Sequence, residues 1–125
     1  MCYGLPVRSK RTMIDAYSFG TMKVDGKTYS SDLILYPDGT VNSSWWRRSG
    51  HLLQREDLER TTEVKPEIVI IGTGTNGMMR VERGVVDHLL TQCSRVIVEK
   101  TGKVVKDYNE LSPHHSIVGL FHLTC

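Results

Sequence analysis

The clearest apolar stretch of the chain predicts a strand over Glu67 to Ile71. Its four β-branched residues show no polar alternation, which is typical of a strand covered on both faces. A second apolar strand is predicted from Arg95 to Glu99. Between the two, the apolar residues of the stretch Val85 to Cys93 fall on one side of a helix. The pattern therefore predicts a sheet with helices packed on it.

Turn residues in the first third of the chain predict β-hairpins. Asp25-Gly26 stands between two β-forming stretches, where a two-residue hairpin needs positive φ twice. The stretch from Tyr36 to Thr40 combines a proline that pre-sets φ, an aspartate that closes an Asx-turn and a permissive glycine. A third strand is then expected from Val41 towards Trp46.

The remaining elements follow from capping and stop signals. A short helix is expected around Gln54 to Arg60, and Pro66 forbids its continuation. Thr101 is expected to cap a second helix, which ends at Ser112-Pro113. The last strand is predicted from Ile117 to Leu123. The chain is thus expected to be an α/β domain with N-terminal β-hairpins.

Length and charge set limits on the class of protein. A chain of 125 residues is expected to hold a basic N-terminal tail over residues 1–12 and a single α/β domain over residues 13–125. The tail carries Arg8, Lys10 and Arg11, and the rest of the chain has nearly equal numbers of basic and acidic residues. Nucleic acid is therefore an unlikely partner. No apolar run approaches the roughly 18 residues that span a bilayer, so no membrane association and a cytoplasmic location are expected.

The cysteines indicate reduced thiols. Cys2, Cys93 and Cys125 are an odd number without CxxC spacing, which argues against a disulfide framework and a zinc ribbon. The adjacent His114 and His115 are weak evidence for a metal, so no metal site is predicted.

The glycine turn after the first strand has the spacing of a dinucleotide fingerprint. Gly72, Gly74 and Gly77 match the pattern, and Glu99 stands where a ribose-binding acid belongs. Against that interpretation, Gly84 weakens a helix continuous with the turn, and the chain supplies only one βαβ unit. Dinucleotide binding is therefore a minor hypothesis.

Two other hypotheses for this turn stay open. It is either a structural connection or a site where backbone N–H groups hold a small anionic or polar ligand, with Asn76 orienting it. If the turn binds a ligand, Gly74→Val is expected to abolish binding and leave a folded domain.

A polar-aromatic stretch offers a second group of candidate binding residues. Trp45, Trp46, Arg47, Arg48 and His51 combine stacking faces with cations, which suits a phosphate, a base or a protein surface. The alternative is that one tryptophan is core, the other lies on the rim, and the arginine stems pack over them.

An enzymatic role rests on His51, His122 or Cys125. In an extended strand the odd separation of His122 and Cys125 sends their side chains to opposite faces, which favours a structural role for that pair. The chain shows no nucleophile elbow, paired-carboxylate motif or metal-binding His/Glu motif. No catalytic residue is therefore assigned.

Several stretches, spread over most of the chain, together resemble the small Mth-domain family. That family includes an adipogenesis-associated member and, more distantly, a mitochondrial complex I assembly factor. The resemblance is carried by Ser18-Phe19-Gly20, Met22-Lys23-Val24, Tyr36-Pro37-Asp38-Gly39, Trp46-Arg47, Gly50-His51, Ile68 to Gly74, Val105 to Asn109, and Val118 to Cys125.

This resemblance implies a three-layer α/β domain with a central mixed β-sheet and the helices packed on it. It also implies that the Gly-x-Gly turn is a family feature rather than a nucleotide fingerprint. By analogy with relatives, the chain is expected to be a non-enzymatic binding, assembly or regulatory protein. It would act through a protein partner or a small polar or anionic ligand at the turn. The alternative is a small enzyme or a nucleotide- or cofactor-binding protein, and the sequence names no cofactor.

Overall fold

The computed structural model describes residues 12–45, 47 and 50–125. Nearly all of the expected N-terminal tail lies outside these ranges, as do Trp46 and Arg48 of the polar-aromatic stretch. The division into a tail and one domain stays a prediction. The helices are a 3-10 helix (Arg55–Leu58), α1 (Glu59–Val64), α2 (Val85–Leu90) and α3 (Thr101–Leu111). The strands are β1 (Ile14–Ser18), β2 (Thr21–Val24), β3 (Lys27–Tyr29), β4 (Leu33–Leu35), β5 (Val41–Asn42), β6 (Leu52–Leu53), β7 (Ile68–Gly72), β8 (Arg80–Val81), β9 (Arg95–Glu99) and β10 (Ile117–Phe121).

A five-stranded mixed sheet forms the centre of the fold, in the order β5-β4-β10-β7-β9. Strands β10, β7 and β9 are parallel to one another, whereas β4 runs antiparallel to β10 and β5 antiparallel to β4. Every residue of β7 and β10 is buried, as the unbroken apolar pattern predicts. The central mixed sheet is thereby confirmed.

Successive residues of the central strands point into two separate cores. Ile68 and Ile70 belong to the core beneath α3 and the antiparallel sheet of β1, β2 and β3. Val69 and Ile71 belong to the core on the opposite face, beneath the 3-10 helix and α2. Because side chains alternate between the faces of a strand, one apolar run serves both cores. The three-layer α/β architecture is confirmed.

Local turn chemistry produces the predicted hairpins. Asp25 and Gly26 both have positive φ, 49° and 84°, between β2 and β3. Between β4 and β5, the Thr40 N–H donates to Asp38 Oδ1 at 2.8 Å, and Gly39 has a φ of 89°. The β-turn residues therefore act as the sequence predicts.

Several predicted boundaries differ from the structure, among them that of the last strand, which ends at Phe121 instead of Leu123. Strand β5 ends at Asn42 instead of continuing, because the Asn42 side chain accepts the Ser44 N–H at 2.9 Å and turns the chain. The helix expected near residues 54–60 runs on to Val64 and ends with Lys65 in the left-handed region at a φ of 54°. Pro66 follows at once, as the stop signal predicts.

The predicted role of Thr101 as a helix cap is wrong. Lys100 is the N-cap of α3 and makes no capping hydrogen bond through its side chain. The Thr101 hydroxyl instead donates to the His122 carbonyl at 2.7 Å and accepts the Gly74 N–H at 2.8 Å. The buried hydroxyl thus ties the helix to two strand ends.

The Asn109 side chain links α3 to the first strand, β1. Its amide accepts the Ile14 N–H at 2.9 Å and donates to the Ile14 carbonyl at 2.8 Å. Asn109→Ala is expected to lower the free energy of unfolding by about 2 kcal/mol, because both backbone groups lose their partner. Chemical denaturation measures the loss, and hydrogen exchange should show faster exchange of the Ile14 amide. Thr62→Ala, which removes the exposed hydrogen bond from the Thr62 hydroxyl to the Glu59 carbonyl, is the matched control; equal losses in the two variants would contradict the prediction.

Candidate functional site

Three parallel strands end at one edge of the central sheet. Strand β7 leads into the glycine turn of residues 73–78, β9 ends beside it at Glu99, and β10 continues into His122. Strand β4 runs the opposite way and therefore starts at this edge, just after Asp32. In open α/β sheets ligands bind outside the carboxyl ends of the strands. A ligand-binding site is therefore expected at this end of the sheet, which we call the carboxyl edge.

A cluster of three charged or titratable side chains lies at the carboxyl edge. The Arg47 Nη2 and the His122 Nδ1 each lie 2.7 Å from Asp32 Oδ2. The other carboxylate oxygen, Oδ1, accepts the Leu123 N–H at 2.8 Å. We call these three side chains the edge cluster.

The contacts of Asp32 define the tautomer of His122. An ionised carboxylate only accepts hydrogen bonds and a guanidinium only donates them, so Nδ1 must carry a proton to contact Oδ2. The 3.3 Å approach of Arg47 Nη2 to His122 Nδ1 is then a contact between two donors that share one acceptor. When the ring is neutral, His122 Nε2 is therefore a hydrogen-bond acceptor.

The surroundings of Asp32 keep its carboxylate ionised. Burial by itself raises the pKa of this group, but hydrogen bonds from His122, the Leu123 N–H and Arg47 outweigh burial and lower the pKa to about 2. The carboxylate therefore carries its negative charge at any physiological pH and balances the Arg47 charge.

Arg47 is held on three sides. Its Nε and Nη2 donate to the Gly50 carbonyl at 2.9 and 2.7 Å, and the guanidinium carbon lies 4.5 Å from the centre of the Trp45 ring. Arg47 is 8% exposed and His122 5% exposed. Among the described residues, neither Arg47 Nη1 nor His122 Nε2 has a hydrogen-bond partner. Two buried polar atoms of the edge cluster thus have unused hydrogen-bonding capacity.

His51 is the exposed neighbour of the edge cluster. Its ring packs edge-to-face on the His122 ring, with 5.4 Å between the ring centres. The His51 carbonyl accepts the Arg80 N–H at 2.8 Å, beside the parallel pairing of β6 with β8. That pairing joins the polar-aromatic stretch to the segment after the glycine turn.

The glycine turn holds the segment of residues 122–125 in place. The Thr75 N–H donates to the Thr124 carbonyl at 2.7 Å, and the Asn76 and Met78 N–H groups donate to the Cys125 backbone oxygen at 3.2 and 2.9 Å. In this structure the N–H groups of these residues are therefore occupied by the chain itself.

Close approach explains the glycines of this turn. Gly74 has a φ of 105°, and a Cβ there would lie 2.6 Å from the Cys125 oxygen and 2.7 Å from His122 Cδ2. A Cβ at Gly72 would lie 2.7 Å from Thr101 Oγ1. Gly77 has positive φ and packs more loosely. Backbone approaches this close require glycine at positions 72 and 74.

The structure brings only part of the predicted site together. Arg47 and His51 meet at His122. Gly72 ends β7, and Gly74, Asn76 and Gly77 belong to the neighbouring turn; of these four, Gly72, Gly74 and Asn76 contact residues 122–125. Trp46 lies outside the described residues. The Cys125 thiol makes no hydrogen bond to His122 Nε2, because this atom has no partner in the described ranges.

Sequence reasoning missed Asp32, which connects the edge cluster. Its His122 and Arg47 partners are 90 and 15 residues away along the chain. The only signal in the sequence is an acidic residue directly before the apolar triplet of β4. That signal becomes informative only once β4 is known to lie antiparallel to β10.

Two further observations concern metals and membranes. Within residues 12–45, 47 and 50–125, no group of three His, Cys, Asp or Glu side chains is arranged to hold a metal ion. In the same ranges, no helix has the length and apolar composition needed to cross a bilayer.

The fold and the carboxyl edge define a small α/β protein built on a five-stranded mixed sheet. Residues 14–122 match the family described as a protein of unknown function, DUF498/DUF598. Because this match spans most of the 125 residues, the chain belongs to that family.

Solved structures with the same fold support the assignment. The chain is similar to the conserved hypothetical protein PH1505 from Pyrococcus horikoshii OT3, with a TM-score of 0.77, 27% identity, and coverage of 90% of this chain and 98% of that one. It is similar to MT938, with a TM-score of 0.75, 29% identity, and coverage of 91% and 99%. A Mth938-like domain from Bordetella pertussis shares the fold at a TM-score of 0.57, 15% identity, and coverage of 98% and 92%. The resemblance to the Mth-domain family is confirmed.

Proposed function

We propose that this protein is a cytoplasmic, non-enzymatic binding domain that takes up a small polar ligand through a carboxylate or phosphate group. The ligand would bind at the carboxyl edge, against Arg47 and His122, with His51 as the outer wall. The more distant resemblance to a mitochondrial complex I assembly factor stays a prediction.

One observation carries this proposal. Arg47 Nη1 and His122 Nε2 are buried, belong to side chains bound to the same carboxylate, and have no partner among the described residues. Buried polar groups in folded proteins are nearly always hydrogen-bonded, and an unsatisfied one costs about 1–3 kcal/mol. A ligand oxygen that reaches both atoms would recover this cost.

The charge of the edge cluster indicates how an anion would bind. The Arg47 and Asp32 charges cancel, so a neutral His122 leaves the cluster without net charge. An anionic oxygen cannot donate to a neutral Nε2, which is an acceptor, but it can accept from the protonated imidazolium. A ligand group that keeps one proton, such as the hydroxyl of hydrogen phosphate, can instead donate to Nε2 while its ionised oxygen accepts from Arg47 Nη1.

The glycine turn has a supporting role in this proposal. Its N–H groups hold the backbone oxygens of residues 124 and 125, and Thr101 holds the His122 carbonyl. These contacts position the His122 ring from the backbone side. The turn would thus contribute to binding by keeping the His122 ring in its position within the edge cluster.

Arg47→Lys tests the proposal in a thermal-shift screen against inorganic phosphate, citrate and nucleoside phosphates, followed by calorimetry. A ligand at a concentration of 100 times its Kd adds about 2.7 kcal/mol to the free energy of unfolding. It should therefore raise the wild-type Tm by several degrees. Arg47→Lys keeps the charge beside Asp32 but loses the fork of the guanidinium, so affinity should fall at least about tenfold. Calorimetry gives the Kd of each ligand for the two proteins.

Arg95→Met is the matched control. Arg95 is exposed at the start of β9, at the amino-terminal end of the parallel strands and away from the carboxyl edge. Its affinity should equal that of the wild type. A flat screen, or equal losses in the two variants, would overturn the proposal and leave a partner-mediated role to be sought by pull-down.

A small enzyme is the second candidate function. A carboxylate that orients the imidazole and leaves Nε2 available is the arrangement of a general base, which Asp32 and His122 share. NMR spectroscopy of the tightest-binding compound after long incubation separates the two functions. Recovery of the unchanged compound supports a binding domain, and conversion that His122→Gln stops supports an enzyme.

A further inference from the structure

A cavity separate from the edge cluster lies on the opposite face of the sheet from α3. It has a volume of about 510 Å³, within the range of small-molecule sites, and opens between β4, β5 and the helical segment of residues 55–64. Its walls include Tyr36, Trp45, Glu56, Glu59 and Thr61. None of these residues belongs to the edge cluster.

Two residues of this cavity carry buried polar atoms with unused hydrogen-bonding capacity. Trp45 is 8% exposed and Thr61 2% exposed. In the described part of the chain, neither Trp45 Nε1 nor Thr61 Oγ1 has a hydrogen-bond partner. An indole N–H only donates, whereas a hydroxyl donates and accepts. A ligand hydroxyl suits either atom, because it can accept from the indole N–H and can accept from or donate to the threonine hydroxyl.

The charged residues of the cavity favour a cation. Glu56, Asp57 and Glu59 bring three carboxylates, and Asp57 Oδ2 already accepts the Gln54 N–H at 2.9 Å. Arg60 is the basic residue among the described residues of the lining, and its guanidinium carbon lies 5.1 Å from the centre of the Tyr36 ring. Glu56 and Glu59 are exposed and remain available to an ammonium group.

We propose that this cavity binds a small cationic amine that also carries a hydroxyl group. The hydroxyl would lie at Trp45 Nε1 and Thr61 Oγ1, and the ammonium group at Glu56 and Glu59. The aromatic rings of Tyr36 and Trp45 would contact the apolar body between these two ends. The proposed amine would contact none of the three edge-cluster side chains, although the Trp45 ring also packs on the Arg47 guanidinium.

Four related compounds test the proposed chemistry one group at a time. Tyramine carries both the hydroxyl and the ammonium group, phenethylamine lacks the hydroxyl, 4-ethylphenol lacks the charge, and 4-hydroxyphenylacetate reverses it. Each is titrated into the ¹⁵N-labelled protein, and the indole N–H signal of Trp45 is followed by NMR. Trp46→Phe assigns that signal, because the chain has two tryptophans.

Tyramine is expected to bind saturably and to move the Trp45 indole signal downfield. Phenethylamine and 4-ethylphenol should each bind about tenfold more weakly, because one end of the site is left unpaired, and 4-hydroxyphenylacetate should bind weakest of the four. No saturable binding of tyramine, or equal affinity for tyramine and 4-hydroxyphenylacetate, would overturn the proposal.

Two variants test the residues assigned to the site. Thr61→Val keeps the shape of a side chain whose hydroxyl is unpartnered, so the domain should fold, and tyramine affinity should fall about tenfold. Glu59→Gln should weaken tyramine but not 4-ethylphenol. Glu63→Gln, on the same helix and outside the cavity lining, is the matched control. If the Glu59 and Glu63 variants weaken tyramine binding equally, tyramine is attracted only by the surface charge of the helix, and the proposed site is rejected.

Discussion

Gly74→Val is expected to lower the free energy of unfolding by at least about 3 kcal/mol, or to prevent folding. Gly74 has a φ of 105°, which a β-branched residue adopts only with strain. Its new Cβ would also lie 2.6 Å from the Cys125 oxygen and 2.7 Å from the buried His122 ring. The segment after β10 must then move, and with it the hydrogen bonds from Thr75, Asn76 and Met78. Chemical denaturation and thermal melting measure the loss.

The sequence alone predicts a different result for Gly74→Val, namely a folded domain that no longer binds a ligand at the turn. The turn contacts a chain segment about 50 residues further on, and that contact cannot be seen in the turn itself. Gly102→Ala is the matched control, because a Cβ at Gly102 meets nothing within 4 Å and its φ is not in the left-handed region. Gly102→Ala should match the wild type or exceed it by up to about 1 kcal/mol. A Gly74→Val protein as stable as Gly102→Ala would contradict the close approach.

Asp32→Ala is the second change with a large expected effect, a loss of about 3 kcal/mol in the free energy of unfolding. The variant leaves the buried Arg47 guanidinium without its counter-ion and the Leu123 N–H without its acceptor. Breaking a buried ion pair from one side costs more than the pair itself contributes. Adding Arg47→Met should therefore recover part of the loss, because the unpaired charge is removed together with its partner.

The acid dependence of stability gives an independent readout of the same carboxylate. The pKa of Asp32 falls from its ordinary value of 3.8 to about 2 in the folded protein, so the unfolded chain binds the proton more readily. The stabilisation is therefore complete above pH 3.8 and disappears as pH falls towards 2. Wild-type stability should decline more steeply over this window than that of Asp32→Ala, as measured by denaturation at a series of pH values.

Asp107→Ala is the control for both measurements. Asp107 pairs with Lys103 at 3.2 Å, and the lysine side chain is 59% exposed, so the pair is screened by water. Its removal should cost no more than about 0.5 kcal/mol. Equal losses in Asp107→Ala and Asp32→Ala would show that the edge cluster contributes no more than a surface ion pair.

Part of the candidate site could be predicted from residue type alone. Arg47 and His51 stood out because cations lie beside tryptophans, and the glycines of the turn because of their spacing after a strand. Asp32 and His122 act as a pair across 90 residues, so no local pattern links them. Thr101 was assigned to capping because threonine suits that position, whereas tertiary contacts gave its hydroxyl two other partners.

The sequence by itself determined several of the elements and their character. Apolar runs made β7 and β10 buried, Asp25-Gly26 made a hairpin, and Pro66 ended a helix, because each depends on side-chain periodicity or on the backbone freedom of a few adjacent residues. Only the tertiary structure decided the strand order, which places β10 between β4 and β7. That order brings the start of an antiparallel strand to the carboxyl ends of the parallel ones. The partners of a buried charge depend on which strands become neighbours. The strand order in turn depends on burying both faces of the sheet, and every helix and strand contributes to that burial.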